Sequence, residues 1–291
     1  MKTNFGKLNP HHVGLVMREA VRQAIIEIRN QRFTFSSEVK FVSYKKEQDL
    51  VTSADFAAQN IFLKIIKENF PKAGIVAEED FACKCTDPDH DYYFTIDPLD
   101  GTKAYGRRQS HAIATMISFI FDGEICGATI GDVMTQEIFH TRPGSSKVHR
   151  ISEFQTAEIL KHIKKPLKDQ YLQLRQDPRS YSTFAQLVTS PSCEIKPFSG
   201  IEVMGGSIGF MFARLWKGEI GGLLLEPGKQ SPWDAMPVVG ISQKLGYIFL
   251  KVPPHPSYEI MDYKASDKIQ KFDHETLVIH KSNLRELELL T

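Results

Sequence analysis

Two long apolar segments, joined by Asp122 and Gly123, restrict the possible folds of this chain more than any other feature. The sequence reads AIATMISFIF shortly before this pair and EICGATIGDVM directly after it. An Asp-Gly pair between apolar segments favours a two-residue β-turn, in which both turn residues need a positive φ. The segments therefore predict an antiparallel hairpin within a β-sheet.

Helical periodicity occurs on both sides of this hairpin along the chain. Apolar residues recur at helical spacing across residues 12–30, and Ser53 is placed to cap a second helix. A third helix is predicted over residues 207–216, with Ser207 at its N-cap, and a closing helix over residues 283–290. The chain therefore combines several helices with its predicted sheet.

Further strands are predicted where β-branched, aromatic and other apolar residues cluster. Strands are predicted over residues 92–97, 137–141 and 276–280, and residues 73–80 predict a short strand that runs into an acidic loop. Residues 142–180 are more polar and predict a solvated connector between an N-terminal half of about 1–145 and a C-terminal half of about 185–291. Because strands and helices are mixed, we expect an α/β (mixed α+β) sandwich, with residues 1–291 forming a single catalytic unit.

Composition excludes several classes of protein. Lys and Arg total 36 and Asp and Glu total 35, so the chain lacks the basic excess that a nucleic-acid polymer usually requires. No apolar run approaches the roughly 18 residues that span a bilayer, and we expect neither a membrane partner nor a secretory signal. Cys83 and Cys85 form one C-x-C pair, which is too few ligands for a structural zinc site. We therefore expect reduced thiols and a cytoplasmic location.

The sequence TIDPLDGTKAY (95–105) places two aspartates at the end of a predicted strand. Carboxylates there are costly to bury unless they are paired or bind a cation, and Asp97 and Asp100 repel each other. Mg²⁺ takes oxygen ligands and usually keeps some water for a phosphate substrate. Gly101 allows close backbone approach to a ligand, and a helix beginning near Thr102 would favour a phosphate at its N-terminus.

Acidic residues at three other places accompany this motif. Asp55 opens a predicted helix, Glu78 and Glu79 follow an apolar run, and Asp234 follows a tryptophan. Taken alone, Asp55 is most simply a first-turn helix residue. Glu78 and Glu79 are most simply solvated loop residues, and Asp234 a helix cap. Their significance depends on whether the chain brings them together.

Two other acidic patterns do not match known sites. Asp87, Asp89 and Asp91 resemble the start of an EF-hand calcium loop, but Tyr92 and Pro98 stand where that loop needs Gly and Glu. Phosphatases of the haloacid dehalogenase type need two aspartates two residues apart, and here the spacing is three.

The order of these acids resembles the inositol monophosphatase superfamily, which also includes bisphosphate nucleotidases and some fructose-bisphosphatases. The sequence D-P-L-D-G-T is highly specific for that group, and the resemblance extends from DLVTSAD to WDAMP. It implies a layered αβαβα sandwich and Mg²⁺-dependent hydrolysis of a small phosphorylated metabolite. It also implies inhibition by lithium and a homodimer.

The resemblance assigns metal-binding roles to the matching residues. Glu78, Asp97 and the carbonyl of Leu99 would hold one metal ion. Asp97, Asp100 and Asp234 would hold a second, and Glu78 would also contact a third, weaker ion.

The resemblance also assigns catalytic and substrate-binding roles. Thr102, oriented by Asp55, would position the attacking water, and Glu78 completes the catalytic set. The amides of Gly101 and Thr102 would bind the phosphate. The full substrate-binding set is Asp100, Gly101, Thr102, Gly206 and Ser207.

Two departures from the family pattern occur on either side of the Trp233-Asp234 pair. Met236 and Pro237 stand where the family commonly has a small residue and glycine, which predicts a shift of the helix behind the second metal. Glu226 matches the family's acidic substrate residue only if the loop has changed length.

The substrate is predicted from the cations near the motifs. Lys103 resembles bisphosphate nucleotidases, but the helix from Ser207 has Met211 in the region of their lysine and no cation before Arg214. We therefore favour an inositol or sugar monophosphate. The alternatives are a 3′(2′),5′-bisphosphate nucleotidase and an inactive protein on the same fold.

Overall fold

Two multi-stranded β-sheets, separated by helices, organise the protein. A computed structural model describes residues 2–42, 47–181, 197–252 and 259–288. Strands β1 (Ser37–Val42) and β2 (Glu47–Thr52) pair only with each other, in antiparallel orientation. The larger sheet contains β3 (Gly74–Ala77), β4 (Phe81–Cys83), β5 (Tyr92–Asp100), β6 (Ala114–Phe121), β7 (Glu124–Asp132), β8 (Ile138–Thr141), β9 (His149–Ile151) and β10 (Ala157–Ile159).

The smaller sheet is formed by later residues. The remaining strands are β11 (Tyr171–Leu174), β12 (Gly200–Val203), β13 (Gly222–Leu225), β14 (Gly228–Gln230), β15 (Tyr247–Val252), β16 (Glu259–Ile260), β17 (Gln270–Phe272) and β18 (Glu275–His280). The smaller sheet has the order β12-β11-β13-β18-β15-β16, and β14 pairs separately with β17. The larger sheet has the order β10-β9-β8-β7-β6-β5-β3-β4.

Two groups of parallel strands interrupt the otherwise antiparallel pairing. In the larger sheet β3 runs parallel to β5. In the smaller sheet β11 lies between β12 and β13 and runs parallel to both. Parallel strands end at the same edge of a sheet, so loops that follow them lie close together. These two edges are where the acidic and basic residues discussed below are found.

Six α-helices are described. They are α1 (Pro10–Asn30), α2 (Ser53–Asn69), α3 (Thr102–Gly106), α4 (Ile208–Lys217), α5 (Pro232–Leu245) and α6 (Leu284–Glu288). Short 3₁₀ turns occur at Leu167–Asp169, Pro178–Ser180 and Lys281–Asn283. Asn9 caps α1 by accepting hydrogen bonds from the amides of His11 and His12.

Side chains alternate across β6 and pack against different helices on its two faces. Ile117 and Phe119 belong to a core cluster with the apolar faces of α1 and α2. Ala114 and Met116 point to a second cluster, which contains residues of α4 and α5 and of the smaller sheet. The outer face of the smaller sheet packs against Leu287 of α6. This succession of layers confirms the predicted mixed α/β fold class.

The predicted hairpin is confirmed. Strands β6 and β7 are antiparallel, with Phe121 paired to Glu124. The turn residues Asp122 and Gly123 have φ values of 45° and 77°. The turn therefore adopts the positive φ at both positions that the Asp-Gly pair predicts.

The connector prediction is wrong in part. Residues 142–180 contain β9, β10 and β11, and the side chains of Leu172 and Leu174 in β11 are fully buried. Strand β11 has only four residues and lies between charged segments, so its apolar residues give no clear strand periodicity in the sequence. The lysines at 161, 164, 165 and 168 are exposed, as predicted. The division into halves and the single catalytic unit stay predictions.

Smaller differences concern the ends of elements. Thr52, not Ser53, is the N-cap of α2, and Ser53 is its first residue. Strand β3 ends at Ala77, and the acidic residues predicted to follow it in a loop begin at Glu78. The closing helix is described from Leu284 to Glu288, and the predicted residues beyond 288 lie outside the described part of the chain. In the four described ranges, no helix has the length and apolar character needed to cross a membrane.

Helix α1 packs closely enough on β7 to require a glycine there. A Cβ on Gly131 would lie 2.6 Å from Ile25 Cδ1 and 2.7 Å from Val21 Cγ1, both on α1. We expect Gly131→Ala to lower the free energy of unfolding by about 1–3 kcal/mol, because the helix must move off the sheet. Urea unfolding would measure the change.

Gly228→Ala is the matched control for this substitution. It is also in a strand, and no atom lies within 4 Å of the added Cβ. It should leave stability nearly unchanged. Equal unfolding midpoints for the two variants would contradict the close packing of α1.

Candidate active site

The acidic residues gather where β3 and β5 end. Ala77 and Ile96 are paired in the parallel register, so Glu78 and Asp97 leave the sheet at the same edge. The pairing of β5 with β6 shifts between Asp97 and Asp100, which marks an irregularity at Pro98. This irregular strand end turns both aspartates of the D-P-L-D-G-T motif toward one site.

Asp97, Asp100 and Asp234 form the acidic cluster of this site. One carboxylate oxygen from each lies within 4.8 Å of the others. Asp97 and Asp100 are 1% and 8% exposed, and Asp234 comes from the first turn of α5. Met236 and Pro237 are buried within α5, which continues to Leu245, and Asp234 lies beside Asp97 and Asp100. The shift of this helix stays a prediction.

Burial and mutual repulsion perturb these carboxyl groups. Burial raises the pKa of Asp97 well above its usual range, and the charges of Glu78 and Asp100 add to the effect. Burial and the charge of Asp234 raise the pKa of Asp100 to about 6. The hydrogen bonds that Asp100 accepts from Ser207 and Gly209 act in the opposite direction and lower its pKa. The site therefore disfavours its own negative charge in the absence of a cation.

Glu78 lies beside this cluster and contacts a lysine that the sequence analysis did not identify. Lys40 Nζ in β1 lies 3.7 Å from Glu78 Oε1 and 2.5 Å from Glu79 Oε1. Burial raises the pKa of Glu78 to about 8, while the charge of Lys40 opposes the shift. Glu79 is held in place by Gln59, which exchanges two hydrogen bonds with its backbone.

A threonine and a buried aspartate form the next part of the site. Thr102 Oγ1 lies 3.0 Å from Asp55 Oδ1 and 3.0 Å from the carbonyl oxygen of Leu99. The other oxygen of Asp55 accepts hydrogen bonds from the amide and hydroxyl of Thr52 at 2.8 Å and 2.5 Å. Burial raises the pKa of Asp55 to about 6, and these Thr52 contacts oppose the shift. Asp55 is thus fixed as an acceptor for Thr102.

Two glycines allow the backbone to come together beside the cluster. Gly101 has a φ of 95°, and a Cβ there would lie 2.4 Å from the carbonyl oxygen of Ala112. Gly206 has a φ of 104°, and a Cβ there would lie 2.8 Å from Ala112 Cβ. Both positions therefore need glycine for conformational and steric reasons.

Asp100 also connects the acidic cluster to the start of α4. Its carboxylate accepts hydrogen bonds from Ser207 Oγ at 2.5 Å and from the amides of Ile208 at 3.1 Å and Gly209 at 2.7 Å. Ser207 is the N-cap of α4, as predicted, and is fully buried. The structure thus brings every predicted site residue into one region around the ends of β5, α4 and α5.

A small cavity adjoins the acidic cluster at the edge of the smaller sheet. Its volume is about 150 Å³, and its lining includes Arg175, Phe212, Glu226, Lys229 and Asp234. Arg175 and Glu226 directly follow the parallel strands β11 and β13. Sequence analysis missed Arg175 because the connector prediction concealed β11; the prediction of that strand would have placed its end at this edge.

Two residues considered for substrate recognition lie elsewhere. Met211 is fully buried in the core cluster between the sheets, so it does not face the cavity. Arg214 forms ion pairs with Glu202 at 2.7 Å and Glu219 at 2.9 Å. Helix α4 therefore contributes its N-terminus to the site but neither of these side chains.

Comparison with known proteins adds to this geometry. Residues 10–285 match the family model described as "Inositol monophosphatase family". The Nus factor SuhB of Escherichia coli strain K12 is 33% identical over 102 residues, which are 35% of this chain and 37% of that protein. The matched segment thus spans little more than a third of this curated relative.

Solved structures resemble the fold over nearly the whole chain. The extragenic suppressor protein SuhB from Bartonella henselae has a TM-score of 0.69 and 18% identity, over 96% of this chain and 98% of that one. An IMPase/NADP phosphatase complexed with Mg²⁺ and phosphate has a TM-score of 0.66 and 17% identity, over 97% and 95% of the two chains. At these identities the structures show the fold, and the family match over residues 10–285 shows that the chain belongs to the inositol monophosphatase family.

Proposed function

We propose that this protein is a Mg²⁺-dependent phosphatase that releases phosphate from inositol or a small sugar monophosphate. The observation that carries the proposal is the cluster of Asp97, Asp100 and Asp234 beside a threonine hydroxyl held by Asp55. Phosphoryl transfer to water needs mainly positioning and charge neutralisation. The site offers ligands for cations and a hydroxyl to orient a water molecule.

The residues of the acidic cluster fit Mg²⁺. Asp97 Oδ1 is buried and has no hydrogen-bond partner among the described residues. A buried carboxylate oxygen without a donor is unfavourable, and a hard cation with a preference for oxygen ligands would satisfy it. The residues that would hold the cations are Glu78, Asp97, Asp100, Asp234 and the carbonyl of Leu99. Bound Mg²⁺ would neutralise phosphate charge and lower the pKa of a water molecule.

The protein's own groups would perform the remaining tasks. The Thr102 hydroxyl donates a hydrogen bond to Asp55, which leaves the oxygen lone pairs of Thr102 to orient a water molecule. The amides of Gly101 and Thr102 would bind the phosphate, close to Gly206 and Ser207. The start of α4 fixes the carboxylate of Asp100 by hydrogen bonds, so that Asp100 would hold a cation beside the same phosphate.

Cavity size favours a small substrate over a nucleotide. The volume of about 150 Å³ is below the roughly 300–1,000 Å³ typical of pockets for drug-sized ligands, so it suits a single small ring or chain. A 3′(2′),5′-bisphosphate nucleotidase is the second candidate and is favoured by Lys103 after the D-G-T motif. An inactive member of the fold is the third. The proposal also includes inhibition by lithium and a cytoplasmic homodimer.

Mg²⁺ should stabilise the protein as well as support hydrolysis. A carboxyl group whose pKa is raised by folding binds its proton more tightly in the folded state than in the unfolded state. The free energy of unfolding therefore falls as the pH rises from the unfolded-state pKa to the folded-state pKa. Asp97 is therefore destabilising at pH 7.5 without metal. Asp97→Asn should raise the melting temperature in excess chelator and abolish nearly all turnover. Mg²⁺ should stabilise the wild type by about 2.7 kcal/mol at 100 times its Kd, and the variant much less.

Asp89→Asn is a suitable control, since Asp89 is exposed and lies before the first residue of β5, at the opposite end of the strand from Asp97 and Asp100. It should change neither the melting temperature nor its response to Mg²⁺. Full phosphate release by the wild type in excess chelator would refute the metal-dependent mechanism.

Thr102→Ala should reduce kcat while leaving the metal sites in place. Loss of water orientation should slow turnover by about 100-fold or more, since each ~1.4 kcal/mol in the barrier is about tenfold in rate. Stopped assays of phosphate release, with calorimetric titration of Mg²⁺, would separate turnover from metal binding. A trapped phospho-aspartate at Asp97 or Asp100 would show instead that a side chain attacks the phosphate.

The choice of substrate can be tested directly. We expect a higher kcat/KM for inositol or sugar monophosphates than for 3′-phosphoadenosine 5′-phosphate, because the cavity is small. Met211→Lys would not be informative, since its side chain lies in the core. More efficient hydrolysis of the nucleotide would favour the second candidate function.

A further inference from the structure

A group of basic side chains gathers where α1 packs against β8, outside the candidate active site. Its members are Arg18, His140, Arg142, Lys147 and His149. His140 is in register with Thr129 and Thr129 with Ile117, which packs in the core cluster that contains α1. Asp97 is in register with Met116, whose side chain lies in the cluster on the other face. The basic group and the acidic cluster are therefore on opposite faces of the larger sheet.

A glycine of α1 brings the helix into close contact with this basic group. A Cβ on Gly14 would lie 2.6 Å from Arg142 Cβ and 3.3 Å from His140 Nε2. His140 is 8% exposed, and its other ring nitrogen, Nδ1, lies 2.8 Å from Thr129 Oγ1. Arg18 lies one helical turn after Gly14 and therefore on the same side of α1. The helix thus places Arg18 beside Arg142 and the buried imidazole of His140.

The positive charges of this group have no carboxylate partner at contact distance. Glu19, the neighbour of Arg18 in the chain, pairs instead with Arg22 at 2.6 Å. Arg142 donates a hydrogen bond to the carbonyl oxygen of Pro143 at 3.2 Å. Within the described part of the chain, no carboxylate oxygen lies within ion-pair distance of Arg18, Arg142 or Lys147. Their guanidinium and ammonium groups are therefore available to an external anion.

The basic groups also disfavour one another's charged forms. Burial lowers the pKa of His140 to about 3, and the charge of Arg18 adds to this effect. Burial lowers the pKa of His149, and the charge of Lys147 adds to it. Like charges held this close repel each other, and a negative charge between them would relieve the repulsion. The arrangement is the reverse in sign of the acidic cluster.

We propose that this basic group is a binding site for a small phosphate-bearing anion with two or more negative charges. Arg18 and Arg142 would each offer a planar pair of N–H groups to phosphate oxygens. Lys147 would add a third positive charge, and the partly buried His149 a ring N–H. Because the whole chain lacks a basic excess, a small anion suits the site better than a nucleic-acid polymer. The inference does not depend on the proposed phosphatase function.

Binding of pyrophosphate to the metal-free protein tests this site without turnover. The protein would be stripped of metal and then freed of chelator, so that the acidic cluster repels an anion. Calorimetric titration should show one saturable site. Arg18→Gln and Lys147→Gln should each raise the Kd by about tenfold, since hydrogen bonds to charged groups are the stronger ones. Both side chains are exposed, so neither change should disturb folding.

Three further variants separate the geometry of the site from general charge. Gly14→Ala changes no charge but would push Arg142 from its place, so the Kd should rise several-fold. Arg179→Gln is the matched control, because it removes an exposed arginine that pairs with Asp177 at 2.6 Å. It should leave the Kd unchanged. Arg175→Gln, in the cavity beside the acidic cluster, should also leave it unchanged.

Several results would overturn the inference. One is the absence of saturable pyrophosphate binding at millimolar concentration. Another is a loss of affinity in Arg175→Gln with none in Arg18→Gln or Lys147→Gln, which would place the anion in the cavity. Wild-type affinity in Gly14→Ala would show that charge alone attracts the anion, without a defined site. Binding of single-stranded RNA but not of pyrophosphate would show a surface for a polymer instead.

Discussion

Repulsion among buried carboxylates at the end of β5 is the constraint on which the site depends. Asp97, Asp100 and Asp234 are close enough to share a cation, and burial already disfavours their ionised forms. The surrounding structure supplies partial compensation: α4 donates hydrogen bonds to Asp100, and Lys40 approaches Glu78. Asp97 Oδ1 receives no such bond among the described residues. The fold thus holds close together carboxyl groups whose mutual repulsion favours their separation into water.

The two sheets contribute different parts of the proposed chemistry. The larger sheet supplies the acidic cluster at the end of β3 and β5, and the smaller sheet supplies Arg175 and Glu226 at the ends of β11 and β13. Helices α4 and α5 lie between the sheets and reach the site through their N-terminal turns.

Local sequence patterns predicted the parts of the fold that depend on neighbouring residues. The Asp-Gly turn, the helix around residues 12–30 and the capping role of Ser207 all rest on short-range physical rules, and the structure has them. Strand β11 was missed because four residues between charged segments give too little periodicity. Arg175 was missed with it, because it directly follows that strand. Lys40 was missed for another reason: its contacts with Glu78 and Glu79 join positions far apart in the chain, and no spacing near Lys40 indicates a partner.

Asp100 shows how closely the fold and the site are linked. The same carboxylate belongs to the acidic cluster and caps the first turn of α4 through the amides of Ile208 and Gly209. Lengthening it to glutamate would keep the charge but would move the carboxylate away from the amides of Ile208 and Gly209, which now donate hydrogen bonds to it. The length of the aspartate side chain at this position therefore sets both the spacing of the acidic cluster and the hydrogen bonding at the start of α4.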